Sequence, residues 1–283
     1  MTAARLWVLA AALCFSTGGT AIKLSGLSGW QISSLRSAVA VVLLTALMPA
    51  WRKGWTPAGL AVGAAFGATL VLFVIANTLT TAANAIFLQY TSVLYLLTLG
   101  PTVLGEPNRR GDYPLVLLLA AGMALLFIGQ DAPSATAPDP ALGNWIGAAS
   151  GVTWAVTLMG LRWLSVRSSG DDLSGAAVIS GNAIACLVCL PMALPFEPLG
   201  VLDWGIVLYL GSVQIALAYV CLVRGVKQLR ALEVTLLLLL EPIASALWSG
   251  LVHGEVPSWP SASGCALILA GLTVQALRDG RER

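Results

Sequence analysis

Residues 233–252 read EVTLLLLLEPIASALWSGLV, an apolar run with a single Glu-Pro pair, Glu241-Pro242, close to its middle. About 20 such residues are what an α-helix needs to cross a bilayer, so Glu241 falls near the depth where charge is most costly. A carboxyl kept there points to function. Pro242 removes a backbone donor and crowds the carbonyl of Leu238, so a bend or loosening is expected beside the acid, and Pro242 is the candidate hinge. Helical spacing places Glu241, Ser245 and Trp248 on one face, expected to look into a cavity.

The rest of the chain is of the same kind. Of its 283 residues 58% are hydrophobic and 10% charged, and mean hydropathy is +0.86. Soluble domains carry about 25% charged residues, so this chain cannot cover a water-facing surface and reads as an all-α integral membrane protein. Ten spans emerge at transmembrane length, near residues 6–24, 31–50, 58–79, 83–103, 113–129, 142–164, 175–194, 204–223, 233–252 and 261–277. With the amino terminus inside, the inner segments hold Arg5, Arg52, Lys53, Arg109, Arg110, Arg162, Arg167, Arg224, Lys227, Arg230, Arg278, Arg281 and Arg283. The outer connections hold Asp131, Asp139, Glu197, Asp203 and Glu255 and no basic residue. Positive charge therefore places both termini in the cytoplasm. Tryptophans at 7, 30, 51, 55, 145, 163, 204 and 259 mark helix ends, whereas Trp154 falls mid-span.

The linker at 130–141, QDAPSATAPDPA, divides the chain into two sets of five helices. Residues 1–130 and 142–283 form the two halves, with 131–141 between them. Gly105-Glu106 after helix four matches Gly254-Glu255 after helix nine, Gly122 and Gly271 come next at equal distances, and Phe15 with Lys23 corresponds in spacing to Trp154 with Arg162. Because five is odd, the halves must be inverted relative to one another. Two inverted five-helix repeats around a central cavity are an architecture of secondary transporters.

These residues also resemble a known family, the drug/metabolite transporter superfamily in its ten-helix EamA-type branch. The resemblance covers nearly the whole chain and rests on LCFSTGGTAIKL in helix one, Arg36 in helix two, TTAANAIFLQYTSVLYLLTLGPTVLGE through helix four, LLLLLEPIASALWSGLVHGE through helix nine and LILAGL in helix ten. Family members often carry a proline in helix four; this sequence reads Thr91-Ser92-Val93 there and gives no reason for a bend. The resemblance implies alternating access and export of small metabolites, ranging across the family from amino acids to sugars, vitamins and drugs.

Candidate cavity residues come from polar stripes. In helix four, Asn84, Thr91, Tyr95, Thr98 and Thr102 fall within about 60° of one another, with Gln89 and Ser92 off the stripe. Such a stripe lines a cavity or bonds to another helix, and Tyr95 is the expected solute contact. Thr20 in helix one and Trp154 in helix six are pseudo-equivalent in placement and face the centre. Asn77 in helix three and Tyr219 in helix eight are weaker candidates, with Gln214 facing elsewhere. Gly143, Gly147 and Gly151 form a small-residue ridge suited to a neighbouring helix. Lys23 is expected to snorkel to the outer interface, Arg36 to attract a substrate carboxylate near the outer mouth, Glu106 and Glu255 to hold helix termini, and His253 to be exposed.

An intramembrane enzyme and a channel are the alternative readings, and the sequence offers less for each. An intramembrane enzyme needs an acid, base and nucleophile converging, and the sequence offers one His outside any span and one buried acid. No selectivity-filter-like loop suggests a channel. No nucleotide motif or metal motif is present, and Cys186 and Cys189 read as small buried hydrophobes, so no catalytic residue, metal or cofactor is expected. The expected protein is a monomer in the bacterial inner membrane, with the lipid bilayer and a small-molecule substrate as partners and no nucleic acid. It would be a secondary transporter exporting small metabolites, amino acids first.

Overall fold

A backbone in hydrocarbon has no water to bond, so apolar runs of membrane length must satisfy themselves as helices. The computed structural model describes residues 3–47, 55–105, 112–128, 133–167, 173–196, 199–229, 233–234, 237–238 and 240–281. Among them lie ten helical stretches: α1 (Ala3–Leu24), α2 (Gly29–Leu47), α3 (Pro57–Leu79), α4 (Ala82–Leu104), α5 (Asp112–Ile128), α6 (Pro140–Arg167), α7 (Leu173–Ala193), α8 (Val201–Val226), α9 (Leu240–His253) and α10 (Trp259–Arg281). Six of them, α1 to α4, α7 and α8, have spans long and apolar enough to cross a membrane. Arg52, Lys53, Arg109, Arg110, Asp131, Glu197, Arg230 and Arg283, with Trp51 and Glu106, lie outside the described residues.

The solvent preference of the bundle is inverted. Leu117, Leu187 and Leu251 cover the outside, while Asn77, Asn84, Asn144 and Asn182 are buried. That is the distribution a hydrocarbon solvent imposes.

Local chemistry sets the ends. Thr56 caps α3 by accepting from the Gly59 N–H at 3.0 Å, with Pro57 in the first turn. Both α4 and α9 finish on a glycine in the left-handed region, Gly105 at φ 67° and Gly254 at φ 65°, where a Cβ would be strained.

Three helices are not regular. α1 breaks at Thr17 into Ala3–Ser16 and Gly18–Leu24, and α4 breaks at Thr91 into Ala82–Tyr90 and Ser92–Leu104. The bend in α4 therefore forms without a proline: the Thr91 N–H bonds Leu88 O at 3.1 Å, three residues back, and the Thr91 hydroxyl donates to the same carbonyl at 2.6 Å. α8 holds a π-helical turn, Leu210–Leu217. Before α9, Leu238 lies in a turn and the Glu241 N–H bonds its carbonyl at 2.9 Å, so Glu241 stands in the first turn of Leu240–His253. The loosening expected beside the acid lies on the amino-terminal side of Pro242, at Leu238, and only the position of Glu241 at mid-helix is corrected.

Packing brings these irregular helices together. α3 lies on α6 and α7, α2 on α7 and α8, α1 on α8 and α9, α4 on α6 and α9, and α5 on α10. Small residues permit the closest approaches. A Cβ at Gly63 would sit 2.1 Å from Ser180 Oγ on α7, and one at Gly151 would sit 2.7 Å from both Leu88 O and Thr91 Oγ1 on α4. The glycine ridge of α6 is thus a helix-packing surface.

Candidate functional site

Where the irregular helices meet lies a small cavity of about 30 Å³, room for one or two waters. Its apolar wall is Phe15, Leu70, Phe73, Trp154 and Tyr219, and its polar lining is Arg36, Thr69, Gln89, Gln214 and Glu241. Tyr219 organises the wall, with ring centroids 5.0 Å from Phe15, 4.5 Å from Phe66 and 6.4 Å from Trp154. The first and third contacts are edge-on, the geometry aromatic quadrupoles favour.

Arg36 is 1% exposed. Its Nη1 donates to Gln214 Oε1 at 3.2 Å and its Nη2 to Leu70 O at 3.0 Å, while Nε has no protein partner among the described residues. Gln214 reaches it because of the π turn. In a regular α-helix, residues 214 and 219 would point about 140° apart; π bonding from i to i+5 brings them close to one side. Both line the cavity.

Across the cavity Glu241 is 7% exposed, and its Oε2 lies 2.9 Å from the Tyr90 hydroxyl. That hydroxyl also contacts the Leu238 carbonyl, so one proton serves two acceptors. Among the described residues no salt bridge joins Glu241 to Arg36, and Arg36 is paired with no carboxylate. Two buried groups of opposite charge character thus face one space unpaired. Burying a charge without a charged partner costs several kcal/mol.

Residues 141–276 match the EamA-like transporter family. The chain carries an EamA-like transporter domain. That match and the apolar helices support a membrane transporter role. A solved crystal structure 22% identical covers 99% of this chain and 98% of its own, with a TM-score of 0.71, so the fold extends over the whole length. No curated protein matches the chain. The EamA-like domain supplies Trp154, Gln214, Tyr219 and Glu241 to the cavity, and the residues before it supply Phe15, Arg36, Thr69, Leu70, Phe73 and Gln89.

Of the residues expected to line a cavity, the structure gathers Arg36, Trp154, Tyr219 and Glu241 there, and not the others. Arg36 lies at the centre rather than near a mouth. The α4 stripe is corrected: before the break Gln89 lines the cavity and Tyr90 reaches Glu241, and beyond the break at Thr91 Tyr95 is only partly buried against the core and Thr98 and Thr102 are exposed. Thr91 is spent on its own backbone and against Gly151. Ser245 is buried outside the cavity, and Trp248 turns to α1, its Nε1 donating to Ser16 Oγ at 3.3 Å. That face of α9 packs on α1.

Thr20, Asn77 and Asn84 are buried near the distal end of the bundle, opposite the amino terminus. Asn84 Nδ2 reaches Asn144 Oδ1 at 3.5 Å, Asn77 Nδ2 donates to Phe73 O at 2.9 Å, and Thr20 O accepts from His253 Nε2 at 3.0 Å. Lys23 does not snorkel: its side chain is 3% exposed and pairs with Glu255 at 2.8 Å. Gln89 was missed because it lies off the Asn84–Thr91 stripe, and Gln214 because uninterrupted α-helical phase points it away; only the π turn reveals Gln214.

Proposed function

We propose that this protein is a secondary transporter that moves small zwitterionic metabolites, amino acids first among them, outward across the bacterial cytoplasmic membrane, with both termini cytoplasmic. One observation carries this reading: Arg36 and Glu241 line a single aromatic-walled cavity without pairing to each other. A guanidinium with a spare Nε–H suits a carboxylate, and a carboxylate at the other side suits an ammonium. Phe15, Phe73, Trp154 and Tyr219 suit the solute's apolar side chain.

Alternating access is supported by how the helices pair. Exchanging α1–α5 for α6–α10 converts the seat of α3 on α6 and α7 into that of α8 on α1 and α2, and the α4–α6 contact into α9–α1. That exchange is what two inverted repeats require. With about 30 Å³ free, the cavity must widen to admit an amino acid, and the breaks at Thr17 and Thr91 and the turn before Pro242 supply the pliant points.

The test is uptake into liposomes by the purified chain, against amino acids, sugars and cationic drugs, for the native protein, Arg36→Gln and Glu241→Gln. Saturable amino-acid uptake lost in Arg36→Gln at normal protein level is expected. Losing one charge-assisted bond of about 1.5–3 kcal/mol lowers affinity ~10- to 100-fold. Full transport by Arg36→Gln, or sugar or drug uptake without amino-acid uptake, would overturn the zwitterion reading and leave the transporter fold. Dependence on a pH gradient that disappears in Glu241→Gln would add proton coupling at Glu241.

A further inference from the structure

Lys23 lies in the last turn of α1, two turns beyond Phe15 and the central cavity. Its ammonium is ion-paired with Glu255 Oε1 at 2.8 Å and donates hydrogen bonds to Thr80 O at 2.9 Å and to the Thr136 carbonyl. A carboxylate and two carbonyls together suit the charge and the N–H donors of a primary ammonium group. They come from three separate connections: Thr80 joins α3 to α4, Thr136 belongs to the tight Ser134–Ala137 turn between α5 and α6, and Glu255 lies between α9 and α10.

Glu255 is itself fixed, accepting from the Ala82 N–H at 3.0 Å and the Ser249 hydroxyl at 2.6 Å. The two charged side chains are only 3% and 6% exposed. Immediately outside them opens a vestibule of about 560 Å³, lined by Thr81, Thr136, His253 and Glu255. The cage therefore borders the vestibule, two turns along α1 from Phe15 of the cavity, and Lys23 ties three distal connections to α1.

A buried ion pair contributes little net stability, since desolvation offsets its attraction, but undoing one half is costly. That suits a bolt better than a brace. We propose that the Glu255, Thr80 and Thr136 acceptors form an ammonium-binding site at the distal mouth. Filled by Lys23, it holds the mouth shut; when the mouth opens, it receives the primary ammonium of the solute leaving the cavity. The second half rests on the zwitterion reading; the first does not. A quaternary ammonium, lacking N–H donors, has no place there.

The experiment empties the cage. Lys23→Ala is purified and its thermal unfolding followed with ethylammonium chloride or with tetramethylammonium chloride at equal ionic strength. Ethylammonium is expected to raise the melting temperature of Lys23→Ala by about 3 °C, to leave the native protein unmoved, and to lose its effect when Glu255→Gln is added. No shift, or an equal shift with tetramethylammonium, overturns the proposal. Should Lys23→Ala not fold, Thr20→Cys, one turn below the cage, reads the same bolt. It is expected to resist a water-soluble thiol reagent in an otherwise native background and to react once Glu255→Gln is introduced; unchanged protection overturns the bolt. Ethylammonium rescue without any amino-acid transport would support the cage while removing only the claim about the solute.

Discussion

Gln214 holds Arg36 through a neutral amide oxygen at 3.2 Å, which orients the guanidinium without neutralising it. Gln214→Leu removes that bond and is expected to raise KM for a carboxylate-bearing solute ~10- to 100-fold, by the 1.5–3 kcal/mol of a hydrogen bond to charge. Gln214→Glu should be worse than leucine, because a resident carboxylate would occupy Arg36. A glutamate variant transporting better than the leucine variant would contradict the role given to Arg36. At the distal end, Glu255 lies outside the spans. Burial alone would raise its carboxyl, but the Lys23 ammonium, the Ser249 hydroxyl and the Ala82 N–H together hold it below the ordinary value. The groups facing it are Lys23 from α1, Ser249 and His253 from α9, and the amino terminus of α4. A depressed carboxyl contributes its full stability above the unfolded value, about 4.3, and loses it as pH falls through the lower folded value. Melting temperature should therefore drop more steeply below about pH 4.3 in the native protein than in Glu255→Gln. Parallel profiles would show the pair to be idle.

The elements explain which residues the sequence revealed. Span positions were legible because bilayer length and apolar content leave little choice: α3 was expected near 58–79 and is Pro57–Leu79. Helix phase was not, because it assumes unbroken 100° steps. Thr91 spends its hydroxyl on Leu88 O, and α8 inserts a π turn, and both rotate the residues beyond them. Tyr95 and Gln214 were accordingly misplaced, while Trp154 and Glu241, read from unusual residue types at membrane depth, were not. Removing one residue from the π turn, as by deleting Ser212, would restore α-helical phase and separate Gln214 from Tyr219 by about 140°. Transport should disappear while helical circular dichroism persists; retained transport would mean the π turn has no role. Gly63→Leu tests the α3–α7 seat instead. Its Cβ would meet Ser180 Oγ at 2.1 Å and Ala177 O at 2.9 Å, and overpacking of this kind costs about 1–3 kcal/mol or more. Its expected signature is a lower melting temperature and poor yield.

At the scale of the whole molecule, the helices enclose two buried features of opposite character. The central cavity keeps its charges apart, and the distal cage keeps its charges together. On the proposed reading, the first receives a zwitterion and the second closes over it. Composition and topology made the membrane bundle legible from the sequence, and the EamA-like domain agrees. The solute is where chemistry rather than fold decides. The most direct measurement is uptake by the native chain in liposomes of phenylalanine, 3-phenylpropionate and 2-phenylethylamine, which share a ring and differ only in which charges they carry. The account predicts saturable transport of phenylalanine, with each singly charged analogue at least ~10-fold poorer in kcat/KM, since each leaves Arg36 or Glu241 unmatched. Equal transport of all three, or of the amine or acid in preference to the zwitterion, would contradict it.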